Sequence, residues 1–145
     1  EDFDAIGAFH SEIYPEDYDL VFRMYKHKLH IIPCTTTILH QWRDHGHRAS
    51  RNDENYKDNR FLELKVRYFL ELDYNTDHSL VIWGAGTKAK RIAKQLIASE
   101  VAFYWITDNE KKIGHDIYGI ILSPTTILAG ISNAQIIIAV AGPLK

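Results

Sequence analysis

The chain has 145 residues, 46% of them hydrophobic and 25% charged, which is the balance of an ordinary globular protein. Its net charge is −2, from 17 basic and 19 acidic residues, so no basic surface is predicted and nucleic acid is not an expected partner. The single cysteine, Cys34, excludes an internal disulfide framework and is typical of a reducing compartment.

The sequence contains neither a run of eighteen apolar residues nor a recognisable signal peptide. We therefore expect no transmembrane segment and a cytoplasmic location, including the inner face of the membrane. The chain begins at Glu1 without an initiator methionine and stops soon after a predicted strand that starts at Ile136. A fragment of a longer protein is the interpretation that these ends favour.

A first helix is predicted from Pro15 to about Leu29. Proline suits a helix start because its missing N–H would have no partner there. Acidic residues in the first turn and basic residues in the last turn match the helix dipole. Apolar residues at helical spacing give it one apolar face: Leu20, Val21, Met24, Tyr25 and Leu29. Short strands are predicted next, at Ile31-Ile32-Pro33 and around Thr36 to Leu39.

The middle of the chain is predicted to connect two parts. Residues 46–60 contain almost nothing apolar and indicate an exposed connection. Residues 61–72 have the periodicity of a helix, which we interpret as a connecting helix without chemistry. Three histidines precede it, His40, His45 and His47, but no carboxylate or cysteine completes a metal-ligand set at standard spacing. No metal ligand is predicted here.

A glycine turn follows a short apolar strand, Ser79 to Trp83. The turn reads Gly84-Ala-Gly86-Thr-Lys-Ala89, a helix is predicted from it to about Ser99, and the next strand spans residues 101–107. This order fits the dinucleotide-binding pattern G-x-G-x-x-G/A and predicts an α/β fold with a Rossmann-like parallel sheet.

Each small residue has a predicted purpose in that pattern. Gly84 permits the tight turn, Gly86 lets the backbone approach a phosphate, and Ala89 lets the helix pack close to the strand. The free N–H groups of the helix then attract a diphosphate. Asp108, 22 residues after Gly86, is placed to accept hydrogen bonds from ribose hydroxyls. The candidate nucleotide-binding residues are thus Gly84, Gly86, Ala89 and Asp108.

Other interpretations of this turn stay open. A Rossmann-like scaffold keeps its fold without any ligand, so an empty cleft is one alternative. Lys88, Lys90 and Arg91 either reach phosphates or form a solvated helix face. An NAD-dependent sugar-modifying oxidoreductase is a further alternative, although no Tyr-x-x-x-Lys pair occurs to supply a proton relay.

Three motifs follow the second predicted strand: Asp108-Asn-Glu-Lys-Lys-Ile-Gly114, Ile117-Tyr-Gly119 and Ser123-Pro124. Through them residues 80–143 resemble the nucleotide-binding N-terminal domain of bacterial sugar O-acyltransferases. The resemblance implies a domain that holds a nucleotide-sugar and transfers no hydride.

A second series of motifs covers nearly the whole chain. The motifs, in order, are Ile6-Gly7-Ala-Phe9, Tyr14-Pro-Glu16-Asp17-Tyr-Asp19-Leu20, Arg23, Trp42-Arg43-Asp44-His45, Arg48, Ser50-Arg51, Phe61-Leu-Glu-Leu-Lys65 and Trp83-Gly-Ala-Gly86. The series resembles the rear of a bacterial family 2 glycosyltransferase of the GT-A fold, in a subgroup that carries a Rossmann-like unit behind the transferase domain.

The resemblance implies roles for four residues. Asp17, with Glu16 beside it, corresponds to the general base that removes the acceptor hydroxyl's proton while the anomeric carbon is inverted. The alternative is that both only complement the helix dipole. Arg43 and His45 are candidate substrate-binding residues, on a loop that lies over the donor diphosphate in some transferases of this fold. The Gln-x-x-Arg-Trp motif of processive relatives is absent, since the chain has Gln41-Trp42-Arg43, so no processive role is carried over.

The implied enzyme is an inverting glycosyltransferase that moves a sugar from a nucleotide-sugar to a hydroxyl of a glycan or lipid-linked acceptor, with Mn²⁺ or Mg²⁺. The resemblance does not reach the family's first half, which carries the uridine site and the metal motif, so this fragment is expected to be inactive alone. A non-catalytic nucleotide-sugar-binding module is the alternative. The predicted organisation is a transferase rear section at 1–50, a connection and helix at 51–78, and a Rossmann-like domain at 79–145.

Overall fold

The computed structural model describes residues 2–10, 12–13, 15–32, 37–38, 41, 43, 45–47, 52 and 61–140. The chain divides into two compact units, Glu1–Leu64 and Lys65–Lys145. The division falls within the helix predicted over residues 61–72, which the structure places at Leu62–Leu72.

The N-terminal unit contains two helices among its described residues, α1 (Asp2–Ala5) and α2 (Glu16–Lys26). Pro15, the predicted first residue, is the N-cap of α2, so the helix begins one residue later, at Glu16. The helix ends before Leu29 because Lys28 adopts a left-handed conformation, with φ +56°, and the Leu29 amide donates to the Met24 carbonyl at 3.0 Å. This hydrogen bond satisfies one of the last helical carbonyls and stops the helix.

The first predicted strand is wrong where the structure describes it. Ile31 and Ile32 have no regular secondary structure and are 60% and 80% exposed. Thr37 and Ile38 are likewise outside any strand, whereas Pro33, Thr36 and Leu39 lie outside the described residues. Apolar composition alone favoured a strand, but no described strand pairs with these residues.

The buried face of α2 also differs from the predicted apolar face. Leu20 is buried, but Val21 and Tyr25 are 53% and 60% exposed. Asp19 and Arg23 are buried in their place. The helix is therefore rotated toward a polar contact that apolar periodicity does not register.

The C-terminal unit is an α/β fold, which confirms the predicted class. Its central element is a four-stranded parallel sheet in the order β5-β2-β1-β6. Its helices and strands are α3 (Leu62–Leu72, which extends across the division), β1 (Ser79–Trp83), α4 (Thr87–Ala98), β2 (Tyr104–Thr107), a 3₁₀ helix (Glu110–Lys112), β3 (Asp116–Ile117), β4 (Ile120–Ile121), β5 (Ser123–Pro124), a second 3₁₀ helix (Thr125–Gly130) and β6 (Ala134–Ile138).

The core of this unit forms around β1 and β2. β1 has a strand on each side, with Val81 opposite both Tyr104 and Ile136. Such a strand is covered on both faces, which explains its uninterrupted apolar sequence. The most buried apolar residues are at most 2% exposed: Leu80, Val81, Ile82, Ala89, Ala93, Leu96, Trp105, Ile106 and Leu122.

Helix α4 packs its apolar face inward at helical spacing. Ala89, Ile92, Ala93 and Leu96 are buried, whereas Ile97 is 41% exposed. One residue beyond Leu96 turns the side chain about 100° away from the buried stripe. No helix among the described residues is long and apolar enough to cross a lipid bilayer.

Candidate functional site

The glycine turn lies between the end of β1 and the start of α4, at the carboxyl edge of the parallel sheet. Gly84 has φ +123°, a conformation that side chains with a Cβ rarely adopt. A Cβ there would lie 2.9 Å from the Ala139 carbonyl oxygen and 3.0 Å from its carbon. Gly84 is therefore required by its own conformation and by the close passage of the chain after β6.

Gly86 has different surroundings. It is the N-cap of α4 with φ −88° and ψ −174°, an extended conformation open to any residue. A Cβ at Gly86 would meet no described atom within 4 Å. Neither conformation nor packing among the described residues thus requires glycine at this position, and no described atom occupies the space in front of it. Ala89, by contrast, is fully buried and allows α4 to approach the sheet closely.

Two side chains from beyond α4 hold the carbonyl groups of the turn. The buried indole Nε1 of Trp105 donates to the Gly84 carbonyl at 2.6 Å. The part-buried Lys112 Nζ donates to the Ala85 carbonyl at 2.9 Å. The Gly84 amide in turn donates to the Ile106 carbonyl at 2.9 Å. The turn is thus fixed to β2 and to the 3₁₀ helix that follows it.

The start of α4 carries basic side chains where a helix N-terminus usually carries acidic ones. No side chain in the described ranges caps it, and its first turn contains no acidic residue. Lys88 and Lys90 are exposed there instead. Helix α2 has the usual pattern, with three acids in its first turn. Lysines at a helix N-terminus oppose the dipole and cost stability, so an anion at this place would relieve an unfavourable arrangement.

Asp108 follows the end of β2, the strand beside β1, and its side chain is exposed. Two local hydrogen bonds hold the backbone next to it. The Asn109 amide donates to Thr107 Oγ1 at 3.2 Å, and Asn109 Oδ1 accepts the Lys111 amide at 3.1 Å, which caps the 3₁₀ helix. The structure thus places Gly84, Gly86 and Asp108 at adjoining strand ends of one sheet edge, while Ala89 lies within α4.

Trp105 and Lys112 are the residues of this site that sequence reasoning missed. Lys112 lies in the segment Asp108–Gly114 that carries the acyltransferase resemblance, which was the available signal. Nothing in the spacing indicated that its ammonium returns to a carbonyl 27 residues earlier.

The predicted catalytic pair lies in the first turn of α2. Glu16 is partly exposed and Asp17 is exposed. Asp17 Oδ1 accepts the backbone amide of Tyr18 at 2.8 Å. The ring of Tyr18 stacks on Phe61, with 5.7 Å between ring centroids. The Asp17 carboxylate is therefore accessible from solvent at a helix N-terminus.

A buried charged cluster beside this pair was not predicted. Asp19 is fully buried, and its Oδ2 lies 2.8 Å from Arg23 Nε and 3.3 Å from His10 Nδ1. The guanidinium of Arg23 also donates to the carbonyls of Ile6 and Ala8. The cluster fastens the segment after α1 to α2, and its hydrogen bonds compensate the burial of both charges.

Arg43 and His45 are exposed and belong to no helix or strand. His47 is exposed as well, whereas His40 lies outside the described residues. Asp17 and Asp19 have the spacing of Asp-x-Asp, the metal motif of family 2 glycosyltransferases. Asp19, however, is ion-paired with Arg23. Within the described ranges no group of three or more histidine, cysteine or acidic side chains is arranged to hold a metal ion.

Comparisons of the chain with protein-family models, curated proteins and solved structures gave no match.

Proposed function

We propose that the unit Lys65–Lys145 binds a nucleotide or nucleotide-sugar, with the diphosphate at the glycine turn. The sheet order supports this proposal. Counted along the chain, the parallel strands β5-β2-β1-β6 lie in the order third, second, first, fourth, which is the order of a Rossmann-like nucleotide-binding unit. In such sheets ligands bind outside the carboxyl ends of the strands.

The observation that carries the proposal is the open N-terminus of α4 at Gly86. Among the described residues no side chain caps the backbone N–H groups that start there, exposed lysines lie beside them, and no atom lies near the position a Cβ would take. A diphosphate supplies the acceptors and the negative charge that this arrangement lacks. Asp108, at the end of the neighbouring strand, is assigned to the ribose hydroxyls.

The first experiment compares Gly86→Val with the parent protein. The extended conformation of Gly86 accepts valine, so the fold should persist, while the branched side chain fills the approach to the N–H groups. We expect binding of nucleoside diphosphates and nucleotide-sugars to be lost in isothermal titration calorimetry. Gly130→Val is the matched control, because Gly130 also has open space around its Cβ position and lies away from the turn. Unchanged affinity in Gly86→Val would refute the assignment of the turn.

A second function, inverting sugar transfer, follows from the glycosyltransferase resemblance. The structural observation in its favour is the exposed carboxylate of Asp17, within reach of a hydroxyl from solvent. In this proposal Asp17 is the base, Glu16 lies beside it, and Arg43 and His45 approach the donor. The donor is a nucleotide-sugar and the acceptor a glycan or lipid-linked hydroxyl. No described residues form a ligand set for the implied Mn²⁺ or Mg²⁺, so no step through the metal is assigned.

The test of sugar transfer uses the full-length gene product with a panel of nucleotide-sugars and Mn²⁺ or Mg²⁺. We expect nucleotide release by the parent and at least a hundredfold loss in Asp17→Asn, since a positioned base contributes about 10²–10⁴-fold. Donor binding should persist in the variant. Equal release by both proteins would remove Asp17 from the mechanism and favour a binding module.

A further inference from the structure

The two carbonyls held at the glycine turn fix the direction of two backbone donors. A trans peptide group is planar, and its C=O and N–H point in opposite directions. Because Trp105 holds the Gly84 carbonyl, the Ala85 N–H points away from Trp105. Because Lys112 holds the Ala85 carbonyl, the Gly86 N–H points away from Lys112. The Gly86 donor thus faces the side of the turn opposite to Lys112.

Lys112 has an unusual set of contacts for a part-buried cation. Among the described residues its ammonium has one hydrogen-bond partner, the Ala85 carbonyl, and no carboxylate within ion-pairing distance. Its backbone is fixed, because Asn109 caps the 3₁₀ helix and the Gly114 amide donates to the Leu122 carbonyl at 2.8 Å. An ammonium that is partly removed from water without a counter-charge is costly, so its position calls for a reason beyond packing.

We propose that Lys112 is a positioning residue for diphosphate binding, which rests on the nucleotide-binding function proposed above. Its charged hydrogen bond fixes the Ala85–Gly86 peptide so that the Gly86 N–H is directed at the phosphate. It also polarises that peptide, because hydrogen bonds through one peptide group strengthen each other. Lys112 thereby favours ligands with a negative charge at the turn over uncharged nucleosides.

The test compares Lys112→Met with Lys111→Met in the whole protein. Lys111 lies in the same 3₁₀ helix, is exposed, and loses the same charge when it is replaced. Calorimetry is run with a nucleoside diphosphate and with the corresponding uncharged nucleoside. We expect Lys112→Met to weaken diphosphate binding about tenfold and nucleoside binding less than about twofold, since hydrogen bonds to charged groups have effects of this size. Lys111→Met should stay within about twofold for both.

Two further readouts separate positioning from a general structural role. Lys112→Arg, which retains a charged donor, should restore most of the diphosphate affinity. The Gly86 amide resonance, followed by ¹⁵N NMR, should shift in Lys112→Met and not in Lys111→Met. If Lys112→Met fails to fold, Lys112→Gln takes its place, since glutamine keeps an N–H donor without the charge. About threefold weaker diphosphate binding is then expected.

The outcomes are distinguishable. If the parent binds the diphosphate and the Lys112 variant matches the Lys111 variant, Lys112 has no positioning role and nucleotide binding still stands. If the parent binds neither the diphosphate nor any nucleotide-sugar, the proposed function falls and the role of Lys112 falls with it. Equal weakening of diphosphate and nucleoside by Lys112→Met would also overturn positioning, because it indicates general damage to the unit.

Discussion

Gly84 and Gly86 lie in the same turn but under different structural constraints. Gly84 is dictated by the fold, since its φ of +123° and its distance to the Ala139 carbonyl leave no room for a side chain. Nothing among the described residues dictates Gly86. Replacing Gly84 is therefore expected to cost much more stability than replacing Gly86.

The substitution Gly84→Ala should lower the free energy of unfolding by about 2–4 kcal/mol, from backbone strain and the contact with the Ala139 carbonyl. Gly86→Ala should lower it by no more than about 1 kcal/mol, because alanine is less favourable than glycine at an N-cap but also reduces the entropy of the unfolded chain. Urea unfolding of both variants measures this difference. A loss in Gly86→Ala as large as that in Gly84→Ala would show that Gly86 is also held by the fold.

At the scale of elements, apolar periodicity predicted the long buried segments and failed at short or polar ones. The bounds of β1 were predicted correctly, and α3 and the end of α4 were placed within one residue, because central strands and packed helices need continuous apolar faces. The strand predicted over 101–107 begins only at Tyr104, as β2. The two-residue strands β3, β4 and β5 are too short to carry a periodic signal. The face of α2 was mispredicted because Asp19 and Arg23 are buried through hydrogen bonds that only the folded chain reveals.

The residues of the candidate site were likewise predicted only in part. Gly84, Gly86, Ala89 and Asp108 were found by spacing, since a strand, a turn, a helix and a second strand follow one another directly in the sequence. Trp105 and Lys112 were not, because their contacts join residues 21 and 27 positions apart. Sequence spacing identifies a backbone motif. The side chains that support the motif come from distant positions, which only the folded structure brings next to it.

At the scale of the whole molecule, charge limits how an anionic ligand is attracted. The chain carries a net charge of −2, so it has no general attraction for anions. The positive charge near the glycine turn is local and comes from the N-terminus of α4 with Lys88, Lys90 and Lys112. Local fields at an exposed helix end are screened by salt within about 10 Å at 0.1 M ionic strength.

Diphosphate binding should therefore weaken roughly threefold to tenfold when NaCl is raised from 50 to 500 mM, because helix-terminal and lysine interactions each contribute up to about 1 kcal/mol and are screened. The affinity for the uncharged nucleoside should not change with salt concentration, since its contacts are not ionic. Calorimetric titrations at several salt concentrations, in the parent and in Lys112→Met, measure both slopes. A common slope for diphosphate and nucleoside would mean that the phosphates lie away from the turn. A diphosphate slope shared by parent and variant would assign the salt dependence to α4 and its own lysines, since Lys112 acts mainly through the Ala85–Gly86 peptide.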